Sequence, residues 1–541
     1  MGECDKNMGM FLDGKESVYK AVFDIFCEPT FRRINIKESY LSESMYNKTN
    51  NFMAPFRHIW EKDYNYELYR FKMINIYKSN NWLKLPNLRP MKKVHKSYPD
   101  WRRTINMSAW YTSYPSSFVS EILNELIVVF EEKSEIYSIL ENSNEIINEL
   151  NEHNTLNNNH NKSFINIVGD IKALYDSVLI SQCIDAINFI KQYLNISGNK
   201  KLEFIINFII FTKNNTFIKY KNQIVQIIDG LITGYSHSGS LANVTLMVIE
   251  YKNMDIFISE YKKLNQSEFT EILIRKRYID DIYILLAFFT DKFDLNSINL
   301  FASKLEDVIN NNIYPINIKL ISKHGYHNEF LDIMIDIIAN NNLHTSIYEK
   351  PNNKFIYLHY QSNNPLDHKK SIWISSIFRS ICINDALWKH KKFIRNMYNR
   401  LINRGYHPSV LRIFNKSSNI PSYKDRNKYL LKSYKKLKIK KYNILIKFLK
   451  DNYIEDEYFI SNNRLDEIIN ELNEYESNKP INEEKIIYFK KTYQQLFDND
   501  RRLRKILFDF YDNLNNILPV SNPLRIVLCN KVTSKISAFI D

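Results

Sequence analysis

The chain has 541 residues and 64.7 kDa, 44% of them hydrophobic and 14% aromatic. That excludes a long disordered chain and supplies apolar material for roughly three to four folded units at ~150 residues each. Lysine and arginine exceed aspartate and glutamate by 74 − 60 = 14, a surplus that favours a polyanionic partner, nucleic acid or an anionic membrane surface. Glycine is scarce, at 10 residues, and no G-x-G-x-x-G dinucleotide fingerprint exists. The nearest approach to a phosphate loop, Gly9 with Gly14-Lys15, has Glu16 where Ser or Thr should meet Mg²⁺, and no apolar strand before it.

The five cysteines (Cys4, Cys27, Cys183, Cys382, Cys529) are far apart and none has zinc-ligand spacing, so a reduced compartment and plain packing roles are expected. No run approaches ~18 uninterrupted apolar residues. The first residues carry charges where a signal peptide needs its apolar stretch, and Lys6 stands where a myristoylation start needs Ser or Thr. The expectation is an intracellular protein with no membrane partner, nuclear rather than cytoplasmic.

In chain order, residues 1–80 read as helices with aromatic and basic faces. Pro86, Pro90 and Pro99 forbid a continuous helix from Trp82 to Trp110 and leave extended segments and turns. Residues 116–152 read as acidic helix, Asn154 to Asn161 as a loop, and the apolar run from Phe164 to Ile171 as a buried strand. Strand-like runs separated by turns follow, around 272–289 and 330–360. Helical spacing dominates from about residue 370 to the end, with a basic block at Lys424–Lys450 and an acidic one at Asp451–Glu484. Mixed α/β followed by a helical C-terminus argues for an α+β fold with a helical domain.

The sharpest local feature is Arg277-Tyr278-Ile279-Asp280-Asp281-Ile282-Tyr283, with apolar strands on both sides. Two adjacent acids at such a hairpin tip repel unless a cation neutralises them, and an ordinary solvated turn is the bland alternative. Asp170 ends a second apolar strand. Two-metal nucleotidyl transfer needs carboxylates from separate strands to bridge ions ~3.5–4 Å apart, and Asp170 with Asp280 and Asp281 supplies that set.

Tyr278-Ile279-Asp280-Asp281 resembles the Y-x-D-D signature of reverse transcriptases, and Asp170 to Tyr175 resembles their first aspartate motif. The segment Gly230 to Asn243 is similar to their G-x-x-M-G-S-P-x-S-P-x-x-A-N. Lys93-Val94-His95-Lys96 with Arg102 to Ile105, Leu174-Tyr175, Phe330-Leu331-Asp332, Tyr348 to Pro351, and Tyr357 to Lys370 resemble segments of the Penelope-like branch. The resemblance runs from about residue 85 to 400, and weakly to Pro523-Leu524-Arg525-Ile526-Val527. Thr233, Tyr235, Ser236 and Gly239 depart from the usual Met, Ser, Pro and Pro. Ile227 stands where a Gln is usual, with Gln226 one place off, and no GIY-YIG nuclease module is seen.

The resemblance implies a right-hand polymerase with a helical N-terminal extension at 1–80, fingers and an antiparallel-sheet palm at 81–350, and a helical thumb and C-terminal region at 351–541. It implies RNA-directed DNA synthesis from a primer 3′-hydroxyl, with two Mg²⁺ ions, or Mn²⁺ in their place. The metal set would be Asp170, Asp280, Asp281 and the Ile171 carbonyl. Lys96, Arg103, Tyr175 and Gly234 would meet the dNTP, Tyr175 as the steric gate under the sugar. Gly239, Tyr278, Tyr348, Lys350, Lys435 and Lys436 would meet the RNA template or the DNA or RNA primer. Two alternatives stay open: template-independent or RNA-synthesising transfer on the same palm, and a nucleic-acid-binding protein that keeps the fold without catalysis.

Overall fold

The computed structural model describes residues 2–3, 10–11, 15–26, 31–61, 85–92, 101–107, 110–156, 162–265, 270–289, 295–338, 342–351, 355–452, 470, 485–492 and 524–531. The architecture is α+β, as expected. Contacts divide the chain into one unit of residues 1–356, 379–393 and 421–465 and another of 357–378, 394–420 and 466–541.

The first unit is built on a four-stranded antiparallel sheet of β1 (Lys162–Ile171), β2 (Thr270–Tyr278), β3 (Asp281–Phe289) and β4 (Leu320–Gly325), in the order β4-β1-β3-β2. The two central strands are apolar almost throughout because both of their faces are covered, so neither shows the polar alternation of a half-exposed strand. On one face the cross-strand pairs run Ala287–Phe164, Leu285–Asn166 and Tyr283–Val168. These residues share a core with Ile146, Ile147, Leu150, Phe330, Ile333 and Ile335. The polar member is satisfied: Tyr283 Oη donates to Asn166 Oδ1 at 2.7 Å, and Asn166 Nδ2 donates to the Ile335 carbonyl at 3.2 Å.

That second bond leads into a three-stranded sheet, β5 (His327–Phe330), β6 (Ile333–Ile338) and β7 (Asn342–Ile347). A five-stranded sheet joins residues 31–34, 223–227, 217–220, 87–92 and 101–106, in that order. The extended segments read around Pro86 and Pro90 are therefore present. Most of the described part of residues 1–80 is helical as read; the exceptions are the short antiparallel pair Gly2–Glu3 with Met10–Phe11, and Phe31–Ile34, whose four residues lie on the sheet edge against Gln223–Ile227. Gln226 spends its amide there, accepting from Arg32 at 2.6 Å and donating to the Asn214 carbonyl at 2.8 Å.

Five helices of this unit matter below: α1 (Ser113–Ser134), α2 (Ser143–Leu156), α3 (Ile180–Tyr193), α4 (His237–Lys252) and α5 (Arg426–Asn452). Cys183 and Cys382 are buried free thiols, pushed up by burial to about 12 and about 11, which suits the packing role expected of them. The side chains of Cys4, Cys27 and Cys529 lie outside the described residues.

In the second unit the Tyr357–Lys370 motif is used internally. Arg404 Nε donates to the Tyr357 carbonyl at 2.7 Å, Lys369 Nζ donates to the Ser362 carbonyl at 2.7 Å, and the Tyr360 and Tyr406 rings pack together. Residues 485–492 and 524–531 pair as parallel strands, so the helical spacing read to the end of the chain is interrupted there by β-branched, apolar runs. Among the described residues no helix is long and apolar enough to cross a membrane.

Glycine scarcity shows in the backbone. Among the described residues three glycines take positive φ, against seven side-chained residues: Glu135, Ala173, Asn195, Lys221, Ile279, Leu331 and Phe355.

Candidate active site

The apolar row of β1 and β3 ends in acids. One step beyond Tyr283–Val168 the next directly opposed pair is Asp281–Asp170. Directly opposed residues share a face with Cβ atoms ~4.5–5.5 Å apart, and like charges so placed destabilise a sheet. Asp281 also faces Tyr278 across the hairpin, so Ile279 and Asp280 form a two-residue turn. Ile279 takes φ +57°, the left-handed region that a β-branched side chain ordinarily avoids. The Ile171 N–H donates to the Asp280 carbonyl at 2.9 Å and ties the end of β1 to that turn. The sheet thus brings Asp170, Ile171, Asp280 and Asp281 to one end, with Asp170 exposed and the other two acids half-buried.

The donor chemistry fits divalent magnesium, which prefers oxygen ligands and carboxylates. Among the described residues no three Asp, Glu, His or Cys side chains are gathered as a ready metal cluster.

A second group of residues lies against this end. After β1 the chain turns through Ala173 at φ +48° into a single helical turn, Leu174–Ser177, which places Tyr175 half-buried. The Tyr175 carbonyl accepts from the Leu231 N–H at 2.6 Å, and a Cβ built on Gly239 would lie 3.5 Å from the Tyr175 hydroxyl. Arg103, on the strand Trp101–Asn106, pairs with the Asp176 carboxylate, and its carbonyl accepts from Thr233 Oγ1 at 3.0 Å. Arg103, Tyr175 and Gly234, assigned to the nucleotide, and Gly239, assigned to template or primer, therefore lie in one region.

The two glycines differ in what surrounds them. Gly234 stands at φ +132°, and a Cβ there would meet the Ile105 carbonyl oxygen at 2.4 Å, so the close approach is to the chain's own backbone. At Gly239 the space beside Tyr175 admits a Cβ in ordinary contact, and nothing in the protein forbids one. Of the departures from the motif at Gly230 to Asn243 only Tyr235 faces inward; Thr233 and Gly239 are half-buried and Ser236 is exposed. Tyr235 is buried, bonded to Thr112 Oγ1 at 2.6 Å and Thr216 Oγ1 at 3.0 Å, and pushed up by burial to about 12.

Tyr348 is half-buried just after β7, its N–H donating to the Asp332 carbonyl at 2.9 Å, and Lys350 is exposed two residues on. Lys435 and Lys436 are exposed on α5. Lys96 lies outside the described residues. Sequence reasoning gave no role to Arg277, Glu250, Asn243 or Asp176. Arg277 ends the basic run Arg275-Lys276-Arg277 of β2, and nothing in that run singles it out from its neighbours.

No protein-family model and no curated protein matches the chain. Solved structures do. A telomerase from Candida tropicalis truncated from its C-terminal domain is similar at 14% identity over 49% of this chain and 55% of that one, with a TM-score of 0.33. A telomerase from Candida albicans in complex with a fragment of telomeric RNA is similar at 10% identity over 69% and 61%, TM-score 0.38. An RNA-dependent RNA polymerase of a human picobirnavirus is similar at 8% identity over 64% and 61%, TM-score 0.37. The chain spans about three-fifths or less of the length of each. All three TM-scores lie below 0.5, so strand register and side-chain placement in this chain carry the functional reading.

Proposed function

We propose that this chain is a right-hand polymerase that copies an RNA template into DNA by extending a primer 3′-hydroxyl. One observation carries the reading: Asp170 and Asp281 are opposed in register across adjacent strands, with Asp280 at the intervening turn and the Arg103–Tyr175 pocket beside them. Asp170, Asp280, Asp281 and the Ile171 carbonyl would hold two Mg²⁺ ions. Bound there, the ions would supply charge neutralisation and lower the barrier to attack by the primer oxygen. The protein's own groups do the positioning. Arg103 offers forked donation to a triphosphate, in exchange for Asp176. Tyr175 sets the floor of the sugar pocket, and Tyr348, Lys350 and the exposed face of α5 would meet primer and template. In this reading β1–β4 are the palm and the five-stranded sheet belongs to the fingers.

Primer extension tests this directly, on RNA and on DNA templates, with dNTPs or NTPs. The expected result is dNTP incorporation on RNA, lost by more than a hundredfold in Asp280→Asn while primer–template affinity stays within about twofold, because a metal ligand and not a phosphate contact is removed. Incorporation of NTPs alone would favour the RNA-synthesising alternative. Asp280→Asn activity within tenfold of wild type would remove Asp280 from the site.

A further inference from the structure

The two-residue turn that carries Asp280 is held from behind. Arg277, two residues before Ile279, is 2% exposed, and its guanidinium reaches in three directions. Nε donates to Glu250 Oε1 at 2.9 Å, Nη1 donates to Asn243 Oδ1 at 2.7 Å, and Nη1 also donates to the Ile279 carbonyl at 3.1 Å. Asn243 and Glu250 stand seven residues apart on α4, two turns along one face. Glu250 is itself 3% exposed and accepts a further bond from Tyr314 Oη at 2.8 Å. The main chain of Arg277 is fixed as well, donating to the Ser138 carbonyl at 2.8 Å and accepting from the Leu140 N–H at 2.9 Å.

A charge this deeply buried is retained against a large desolvation penalty, and a Lys, with no planar fork, could not make the same three bonds. The bond that a purely structural ion pair would not need is the one to Ile279, the residue at φ +57°. A β-branched residue in that region is strained and persists only where its surroundings over-determine it. We propose that Arg277 is a positioning residue: anchored by Glu250 and Asn243, it locks the strained Ile279 carbonyl and so holds Asp280 and Asp281 where divalent cations are received. This rests on the metal-dependent polymerase reading above. α4 then has two duties, because its first turn carries Gly239 beside Tyr175 and its last turns anchor the arginine.

A cycle between the lock and the strain it restrains tests the proposal. Mn²⁺ binding to the full chain is followed by calorimetry and by the paramagnetic signal of the free ion, with thermal melting alongside. The variants are Arg277→Lys, Ile279→Gly and the two combined. Arg277→Lys should weaken Mn²⁺ binding by about tenfold, the range that supporting residues behind metal ligands command. Ile279→Gly, free at positive φ, should bind within about threefold of wild type. In the combination Ile279→Gly should restore most of what Arg277→Lys loses, since a turn without strain needs no lock. Should Arg277→Lys fail to fold, Asn243→Ala replaces it in the same cycle, removing one guanidinium partner and leaving the Glu250 pair.

Additive effects, unaltered Mn²⁺ affinity in the variants, or no Mn²⁺ binding by wild type would each overturn the lock. Primer extension by wild type together with an additive cycle would sink the lock and leave the polymerase. Mn²⁺ binding with a non-additive cycle but no extension on any template would do the reverse.

Discussion

His237 follows the pocket loop and its imidazole is buried between aromatic rings, Tyr235 stacked at 5.0 Å and Phe208 edge-on at 5.5 Å, with Ser116 Oγ 2.9 Å from Nδ1. Burial pulls it down to about 3 from 6.5. The unfolded chain therefore takes up a proton below pH 6.5 that the folded one refuses, and stability falls as pH drops from 6.5 towards 3. Between pH 7 and pH 5 the loss is about 2 kcal/mol from this residue. Melting curves of wild type and His237→Gln should diverge in slope over that interval, and parallel curves would show that the ring titrates normally. Tyr175 offers a sharper functional test. The ring is half-buried with its hydroxyl beside Gly239, and under the proposed steric-gate role Tyr175→Ala should raise GTP over dGTP incorporation, as a ratio of kcat/KM, by ~10-fold or more. A lowered melting point with an unchanged ratio would make the ring a packing residue. The aspartates and this tyrosine were legible because they occur in ordered motifs. Asp176 was not, since pairing with Arg103 joins residues from separate elements and leaves no local pattern.

α5 shows how a basic run divides once it is folded. The sequence presents one block of lysines facing phosphate. The helix gives Lys435 and Lys436 to solvent but turns Lys441 inward, 3.7 Å from Glu131 on α1 and 3.6 Å from Glu145 on α2, while Lys440 pairs with Glu141 at 3.0 Å. Burial pushes the Glu131 carboxyl up against the pull of Lys441. Lys441 is thus part of the packing that fixes α5 on the helices flanking the sheet. Lys435→Gln with Lys436→Gln should lower the salt slope of primer–template binding by about 2 and leave melting unchanged. Lys441→Met should cost on the order of 2 kcal/mol of stability, less than a fully buried pair because the lysine keeps 21% of its side chain in water. The reverse pattern would assign the inward lysine to nucleic acid. Helical period alone could not separate these lysines, because the partners that draw one inward lie some three hundred residues earlier.

At the scale of the whole molecule, the strands were readable as apolar runs but their order was not. β1 and β3 are adjacent although a hundred residues of helices and strands intervene, and only the register makes Asp170 and Asp281 opposed. That opposition has a global readout. Removing one of the like charges, as in Asp170→Asn, should raise the melting point of the metal-free protein slightly, by the ~0.2–1 kcal/mol of a cross-strand pair. Wild type should be stabilised by Mg²⁺, by about 2.7 kcal/mol at a hundred times Kd, and Asp170→Asn should lose most of that response. Equal Mg²⁺ stabilisation of both would place the ion elsewhere.

The left-handed residues have a consequence for how far this protein stands from its own stability ceiling. The chain has 10 glycines in 541 residues, and among the described residues positive φ is met mostly by Glu, Ala, Asn, Lys, Ile, Leu and Phe. Each non-glycine residue there gives up roughly 1–2 kcal/mol, offset in part by the lower entropy of its unfolded state. A shortage of glycine thus goes together with strained backbone dihedrals. Outside the Ile279 turn, Glu135, Lys221 and Phe355 thereby become sites of conformational slack that glycine would recover.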